Sequence, residues 1–327
     1  MSDARSTSRV DETTAEAREG ADASSDLMAL WWEKQRATGL VRFDPRLLVL
    51  HGVEEACGAY GWGTVFYSKA REDYKMRVGS LPEKRAATFD LELMSQLLFA
   101  RAGGLNVAAN PNSIVPGHLV VWPEEKRAEL TFRDLSDVSH LARTEGAWTF
   151  IHNMERAAAS IVDWAHFQAY PWEFPLACAE AGETIHESAG FRVTRLAETY
   201  PAYVLAVEAE SAERLAAWLH GMLRAFAAGD EGGQSVPCNI VWRGARAWLI
   251  PRSPGQSTLA ATYVGALEMG GLFCLPNADS LRQYLPDALK AEVRAASIAD
   301  DGEMRAWCER VARATACELL PADGGTT

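Results

Sequence analysis

Apolar and polar positions along the chain alternate in short blocks rather than in one sustained period. Leu27–Gly39, LMALWWEKQRATG, spaces its apolar residues at helical intervals and stops at a glycine, which predicts a helix. Residues 1–25 hold no Leu, Ile or aromatic residue, so they cannot bury enough apolar surface to offset ordering entropy and read as a disordered tail. Residues 321–327, PADGGTT, read the same way. Gly61–Lys69 has a β-rich centre. Phe89–Gly103 fits either a single helix or a strand plus a helix. Gly104–Pro123 breaks into strand, Asn/Pro/Gly turn and strand, and Trp148–Met154 is a further strand. Small residues follow at Ala157, Ala158, Ala159 and Ser160, then an aromatic strand centred on His166.

The second half repeats this theme. Thr199–Ala209 predicts a strand, and Ser211–Phe226 a helix with Ser211 as its N-cap. Pro237–Arg252 predicts a hairpin turning at Arg243-Gly244, and Gly265–Pro276 starts helix-like and ends strand-like. Residues 279–318 predict one or two amphipathic helices. Mixed strands, helices and hairpins without regular βαβ alternation predict an α+β fold with antiparallel sheets and packed helices. Residues 26–180 form one half and 181–320 the other.

Composition narrows the function. The 327 residues suffice for about two domains or one composite domain. A net charge of -12 argues against a nucleic-acid binder but allows a small phosphorylated ligand held by a few local cations. No apolar run reaches the ~18–20 residues that span a bilayer, and no secretory-type stretch opens the chain, so the expectation is a cytoplasmic protein without membrane contact. Six scattered cysteines without a C-x-x-C pair suit reduced thiols. A zinc site from Cys57 or Cys178 with histidines lacks any spacing signature, and neither metal nor cofactor is expected. No dinucleotide-binding, P-loop or H-E-x-x-H motif is present.

Candidate chemistry concentrates in Phe150–Leu176. On a strand, residues i and i+2 share a face, so His166 and Gln168 project into one site. A neutral imidazole is a competent nucleophile near pH 7, and an amide can donate to a phosphoryl oxygen without taking up a proton. By itself His-x-Gln carries little weight, since a lone histidine on an aromatic strand is usually a core residue. Asn153 and Ser160 are candidate phosphate ligands, with ordinary turn bonding as the bland alternative. His118, after Gly117, either contacts phosphate or caps a turn. Arg156 is a possible cation within the small-residue turn, and Arg252 a possible phosphate clamp. Trp164 could stack on a base or sugar. Lys69, Arg77, Lys84 and Arg85 are weaker cation candidates, and His152 points away from Asn153 toward a structural role.

Asn153, then Ala158-Ala159-Ser160, then Trp164-Ala165-His166-Phe167-Gln168 resembles the signature of the histidine-triad superfamily in its galactose-1-phosphate uridylyltransferase branch. HFQAY followed by FPL looks most like the GDP-hexose phosphorylases, including the plant-type GDP-L-galactose phosphorylase. NPNSIVPGHLVVWP, PCNIVWRGARAWLIPR and GALEMGG agree, so the resemblance spans roughly Gly104–Pro276. It implies two related halves, with only the first catalytic, and a double displacement through a nucleotidyl-histidine at His166. The implied substrate is a nucleoside diphosphate-sugar or similar phosphorylated small molecule. The implied acceptor is phosphate or a sugar 1-phosphate, and a homodimer is compatible. A dinucleoside polyphosphate (Ap4A-type) phosphorylase shares these elements. A nucleotide hydrolase and a decayed nucleotide-binding protein complete the alternatives. Two departures stand out. Trp164 replaces the first histidine of His-x-His-x-Gln, and Ala158 replaces a glycine. The second suggests a reshaped phosphate turn, because alanine does not enter positive φ easily.

Overall fold

The computed structural model describes residues 27–39, 48–50, 64–68, 89–159, 161–230, 233–253, 258–259, 262–275 and 286–319. Of the candidates, Ser160, Lys69, Arg77, Lys84, Arg85 and Cys57 lie outside these residues, as do both tails.

The chain opens with helix α1 (Leu27–Thr38), then strands β1 (Leu48–Leu50) and β2 (Thr64–Ser68). Phe89–Gly103 resolves into helix α2 (Leu91–Leu97) running straight into strand β3 (Leu98–Ala102). The Asp90 side chain caps α2 by accepting from the Leu93 N–H. Next come β4 (Leu105–Ala109), β5 (Leu119–Pro123), α3 (Phe132–Thr144), β6 (Thr149–Asn153) and β7 (Phe167–Tyr170). The second half supplies β8 (Ala181–Ser188), β9 (Phe191–Leu196), β10 (Leu205–Ala209), α4 (Ala212–Ala228), β11 (Cys238–Arg243) and β12 (Arg246–Pro251). It closes with β13 (Thr258–Leu259), β14 (Thr262–Tyr263), α5 (Ala266–Met269), β15 (Leu272–Leu275), α6 (Pro286–Ala296) and α7 (Gly302–Glu318).

Ten of these strands form one antiparallel sheet in the order β3-β4-β5-β7-β6-β11-β12-β10-β9-β8. Numbered within its own half, each set of five runs 1-2-3-5-4 from the outer edge to the centre. Each half also carries its long helix between its third and fourth strands. The halves meet where β6 pairs with β11, Asn239 opposite Asn153 and Val241 opposite Ile151. The pairing joins the two halves in one sheet. A further cross-connection is the parallel pairing of β2 with β15.

Burial sets the two faces. Phe150, Phe167, Ala169, Ile240 and Trp242 share one hydrophobic cluster with Leu135, Val138, Leu215, Trp218 and Leu219 of the helices α3 and α4. Ile151, Tyr170, Val241, Trp248 and Ile250 belong to a second cluster with Phe174, Val264, Leu267 and Phe273. That split is the period-2 alternation expected of strands covered on both sides. A capping box on α3 fixes the loop before it. Thr131 Oγ1 accepts from the Asp134 N–H, while Asp134 accepts from the Thr131 N–H. No helix among the described residues is long and apolar enough to cross a membrane.

Candidate active site

The site lies on the central strands, on the face opposite α3 and α4. Strand β7 begins at Phe167, so His166 immediately precedes the strand rather than forming its centre. Gln168 stands opposite Ile151 of β6 and Val120 of β5. Continuing the β6–β7 register sets Asn153 level with His166 and on the face of Gln168.

His166 is buried, and its ring is oriented by backbone. Its Nδ1 lies 3.0 Å from the Trp164 carbonyl, which can only accept, so Nδ1 carries the proton. The lone pair is therefore on Nε2, which has no protein partner among the described residues. Burial pushes the His166 pKa below its ordinary value, against the smaller raising effect of the Trp164 carbonyl and Asp163. The imidazole is thus neutral and nucleophilic across the physiological range.

Two side-chain amides flank it, and both have fixed orientations. Gln168 Oε1 accepts from Tyr170 Oη at 2.8 Å and lies 3.0 Å from His118 Nε2. His118 Nδ1 accepts the Ile114 N–H at 3.3 Å, and its Nε2 lies between Gln168 Oε1 and the Asn110 amide nitrogen, which is 3.1 Å away. With the Tyr170 hydroxyl donating to its oxygen, Gln168 is left to present its NH2 group. Asn153 follows the same logic: its Oδ1 accepts from Asn239 Nδ2 and from the Ala266 N–H, each at 2.7 Å. Both amides are half-buried, and neither NH2 group has a partner among the described residues.

The connection from β6 to β7 supplies the turn beside the histidine. The Met154 carbonyl accepts from the Ala157 and Ala159 N–H groups. Arg156 and Ala158 both adopt left-handed backbone, with φ of 63° and 72°. The sequence implied that alanine at position 158 would reshape this turn. Ala158 instead takes the positive φ that a glycine would, at a cost of roughly 1–2 kcal/mol for the Cβ clash.

Other candidates fall elsewhere. Trp164 is buried in the core, with its indole N–H donated to the Pro123 carbonyl and its ring 4.8 Å from Phe89, so it faces no ligand. Its backbone carbonyl, not its ring, touches the site. Arg252 is not a phosphate clamp: it is buried, with Nε bonded to the Ala296 carbonyl and Nη1 to Asn239 Oδ1 and the Val264 carbonyl. Arg156 is exposed on the outside of the turn, with Nη1 3.4 Å from Ser235 Oγ. His118 stacks on Tyr170 at 4.5 Å and acts on Gln168, one residue removed from any ligand. Among the described residues no group of three or more His, Cys, Asp or Glu side chains could hold a metal ion.

Three residues support the site from outside it. His152, on the opposite face as its parity predicts, places Nδ1 2.8 Å from the His166 carbonyl and so clamps the nucleophile's backbone. Burial depresses its pKa to about 4, so it stays neutral and donates. Arg127 accepts the Ala165 N–H on its carbonyl, and its guanidinium forks onto the capping-box residue Asp134. Burial alone would raise the Asp134 pKa, but Arg127 and Thr131 outweigh it and hold the carboxyl below its ordinary value. Asn239 is the third, buried between the two halves.

No protein-family model matches the sequence, and no curated protein matches it. Solved structures do share its shape. Yeast Ap4A phosphorylase in complex with AMP superposes with a TM-score of 0.59 at 12% identity, covering 85% of this chain and 97% of that one. The same enzyme in complex with Ap4A gives 0.58 at 12% identity, covering 83% and 97%. The chain therefore shares the α+β fold of that phosphorylase over 85% of its length.

Proposed function

We propose that the protein transfers nucleotidyl groups through a covalent intermediate on His166. The observation that carries this reading is the histidine's preparation: Nδ1–H tied to the Trp164 carbonyl, Nε2 unprotonated, and the Asn153 and Gln168 amides turned donor-end outward on either side. Nε2 attacks the α-phosphorus of a nucleoside polyphosphate compound. The N–P bond forms as the P–O bond to the leaving phosphate oxygen breaks. Orthophosphate then attacks the nucleotidyl-histidine, releasing a nucleoside diphosphate and regenerating the imidazole. The amides stabilise charge on the non-bridging oxygens without exchanging protons. Neither can serve as a general acid, so the chemistry suits a leaving group that departs as a phosphate anion.

Two substrate classes meet that condition, dinucleoside polyphosphates and nucleoside diphosphate-sugars. Likeness to a phosphorylase crystallised with Ap4A supports the first, and the HFQAY resemblance supports the second. Incubation with Ap4A and with GDP-, UDP- and ADP-sugars labelled at the α-phosphate separates them. Acid-labile label on the wild type, absent in His166→Ala and discharged by orthophosphate as nucleoside diphosphate, is the expected result. Turnover that survives His166→Ala, or absence of label with every substrate, rejects the covalent reading. Discharge by water alone identifies a hydrolase instead.

A further inference from the structure

Asn239 and Arg252 belong to the second half and are buried beneath the site, which Asn239 reaches through Asn153 and Ala157. Arg252 is 2% exposed and Asn239 0%. Arg252 Nη1 donates to Asn239 Oδ1 at 2.5 Å and to the Val264 carbonyl at 2.7 Å, while Nε donates to the Ala296 carbonyl at 2.7 Å. A guanidinium can only donate, so Asn239 must present its oxygen to Arg252 and its NH2 to the other side. Both of those hydrogens are used. One goes to Asn153 Oδ1 and one to the Ala157 carbonyl, each at 2.7 Å. Ala157 is the residue between Arg156 and Ala158, the two left-handed positions of the turn.

We propose that Arg252 and Asn239 are positioning residues that set the phosphate-binding face of the first half from within the second. Arg252 fixes which way the Asn239 amide points. Asn239 in turn fixes which way the Asn153 amide points and pins the carbonyl that keeps the strained turn in place. A strained backbone persists only where its surroundings over-determine it, and Asn239 is the side chain that supplies this at Ala157. The buried charge on Arg252 polarises the Asn239 amide and strengthens both of its donated bonds. A rotated Asn153 would aim its carbonyl oxygen, instead of its NH2, at the oxygens of a bound phosphate. The idea rests on the nucleotidyl-transfer reading for its catalytic meaning, but the structural relay can be measured without it.

Asn239→Asp is the decisive variant. It keeps side-chain volume and a strong acceptor for Arg252 but removes both donated hydrogens. Single-turnover labelling with the substrate that labels the wild type should slow by about 100-fold, the size of loss seen when a charge-stabilising donor is removed. In an Asn153→Ala background the same change should cost far less, because its main target is gone. Hydrogen–deuterium exchange of residues 154–159 should quicken by about tenfold while α4 and α7 keep their protection. Arg252→Lys, which retains charge without the fork, should fall between wild type and Asn239→Asp. Labelling within threefold of wild type, or equal losses in both backgrounds, overturns the proposal. Unchanged exchange at 154–159 also overturns it, even for a protein that labels with nothing. Absence of label in the wild type rejects only the function reading, and the exchange measurement then decides the relay alone.

Discussion

The fourth and fifth strands of the two halves are joined in opposite ways. In the second half β11 returns into β12 through two residues, Gly244 and Ala245, with Gly244 at a φ of 58° allowing the tight reversal. In the first half the same junction is the stretch 154–166, which holds the strained turn, the Trp164 carbonyl and the histidine. The surrounding frame is shared: same strand order, same helix placement. On the proposed function, the site is an insertion at one strand junction, and the half that lacks it serves as its support. The last residues of the two fourth strands show the division of labour. Asn153 directs an amide into the site, whereas Arg243 at the matching place is consumed by the Ala147 and Trp172 carbonyls and Thr149 Oγ1.

That asymmetry can be tested directly. The largest effect is expected at the amides: Asn153→Ala and Gln168→Ala should each slow single-turnover nucleotidyl transfer by about 100-fold or more. Arg243→Ala should leave the rate unchanged. Equal losses at both strand ends would erase the proposed division.

The next effect concerns acid. His152 is buried with a pKa lowered from 6.5 to about 4, and His166 shifts in the same direction, both through burial. The unfolded chain takes up these protons at a higher pH than the folded one, so stability is full above 6.5 and falls as pH drops toward 4. His152 alone contributes a loss of roughly 3 kcal/mol over that interval, readable from urea midpoints. His152→Phe should flatten much of the slope. Among its described residues the second half buries no histidine, so exchange there should be less acid-sensitive at the local level.

Smaller changes follow for the supports. Arg243→Ala removes its bonds to the Ala147 carbonyl and Thr149 Oγ1 while the Trp172 carbonyl keeps Thr149 Oγ1, and should cost about 1 kcal/mol of unfolding free energy without loss of activity. Ala158→Gly should raise stability by about 1 kcal/mol, since glycine carries no penalty at a φ of 72°. A Tm that fell in Ala158→Gly would show the turn to be unstrained.

Sequence pattern revealed the parts of this arrangement that depend on near neighbours. The strands around the site, the 243–244 turn and the Ser211 cap each rest on a few adjacent residues, and the common face of His166 and Gln168 rests on strand parity. Phe89–Gly103 stayed ambiguous because its apolar spacing suits both periods, and only packing decides that Leu97 ends a helix and Leu98 starts a strand. Arg252 looked like a phosphate ligand because its charge was visible while the Val264 and Ala296 carbonyls that occupy it were not. His152 was set aside on parity, rightly as to face. Its bond to the His166 carbonyl is a contact between strands. At Ala158 the residue type suggested a changed turn, yet tertiary hydrogen bonds imposed the left-handed backbone on it.

The bond from the Ala266 N–H to Asn153 Oδ1 spans 113 residues of chain, and its partner Asn239 spans 86. A ribosome releases the chain from its N-terminus, so His166 and its turn emerge well before the residues that aim Asn153. The first half can gather its strands during synthesis, but its phosphate-binding face is completed only after Ala266 has left the tunnel. On the proposed function, competence to react is thereby withheld from the nascent chain, and a truncated product ending before β11 would carry His166 without the residues that aim Asn153.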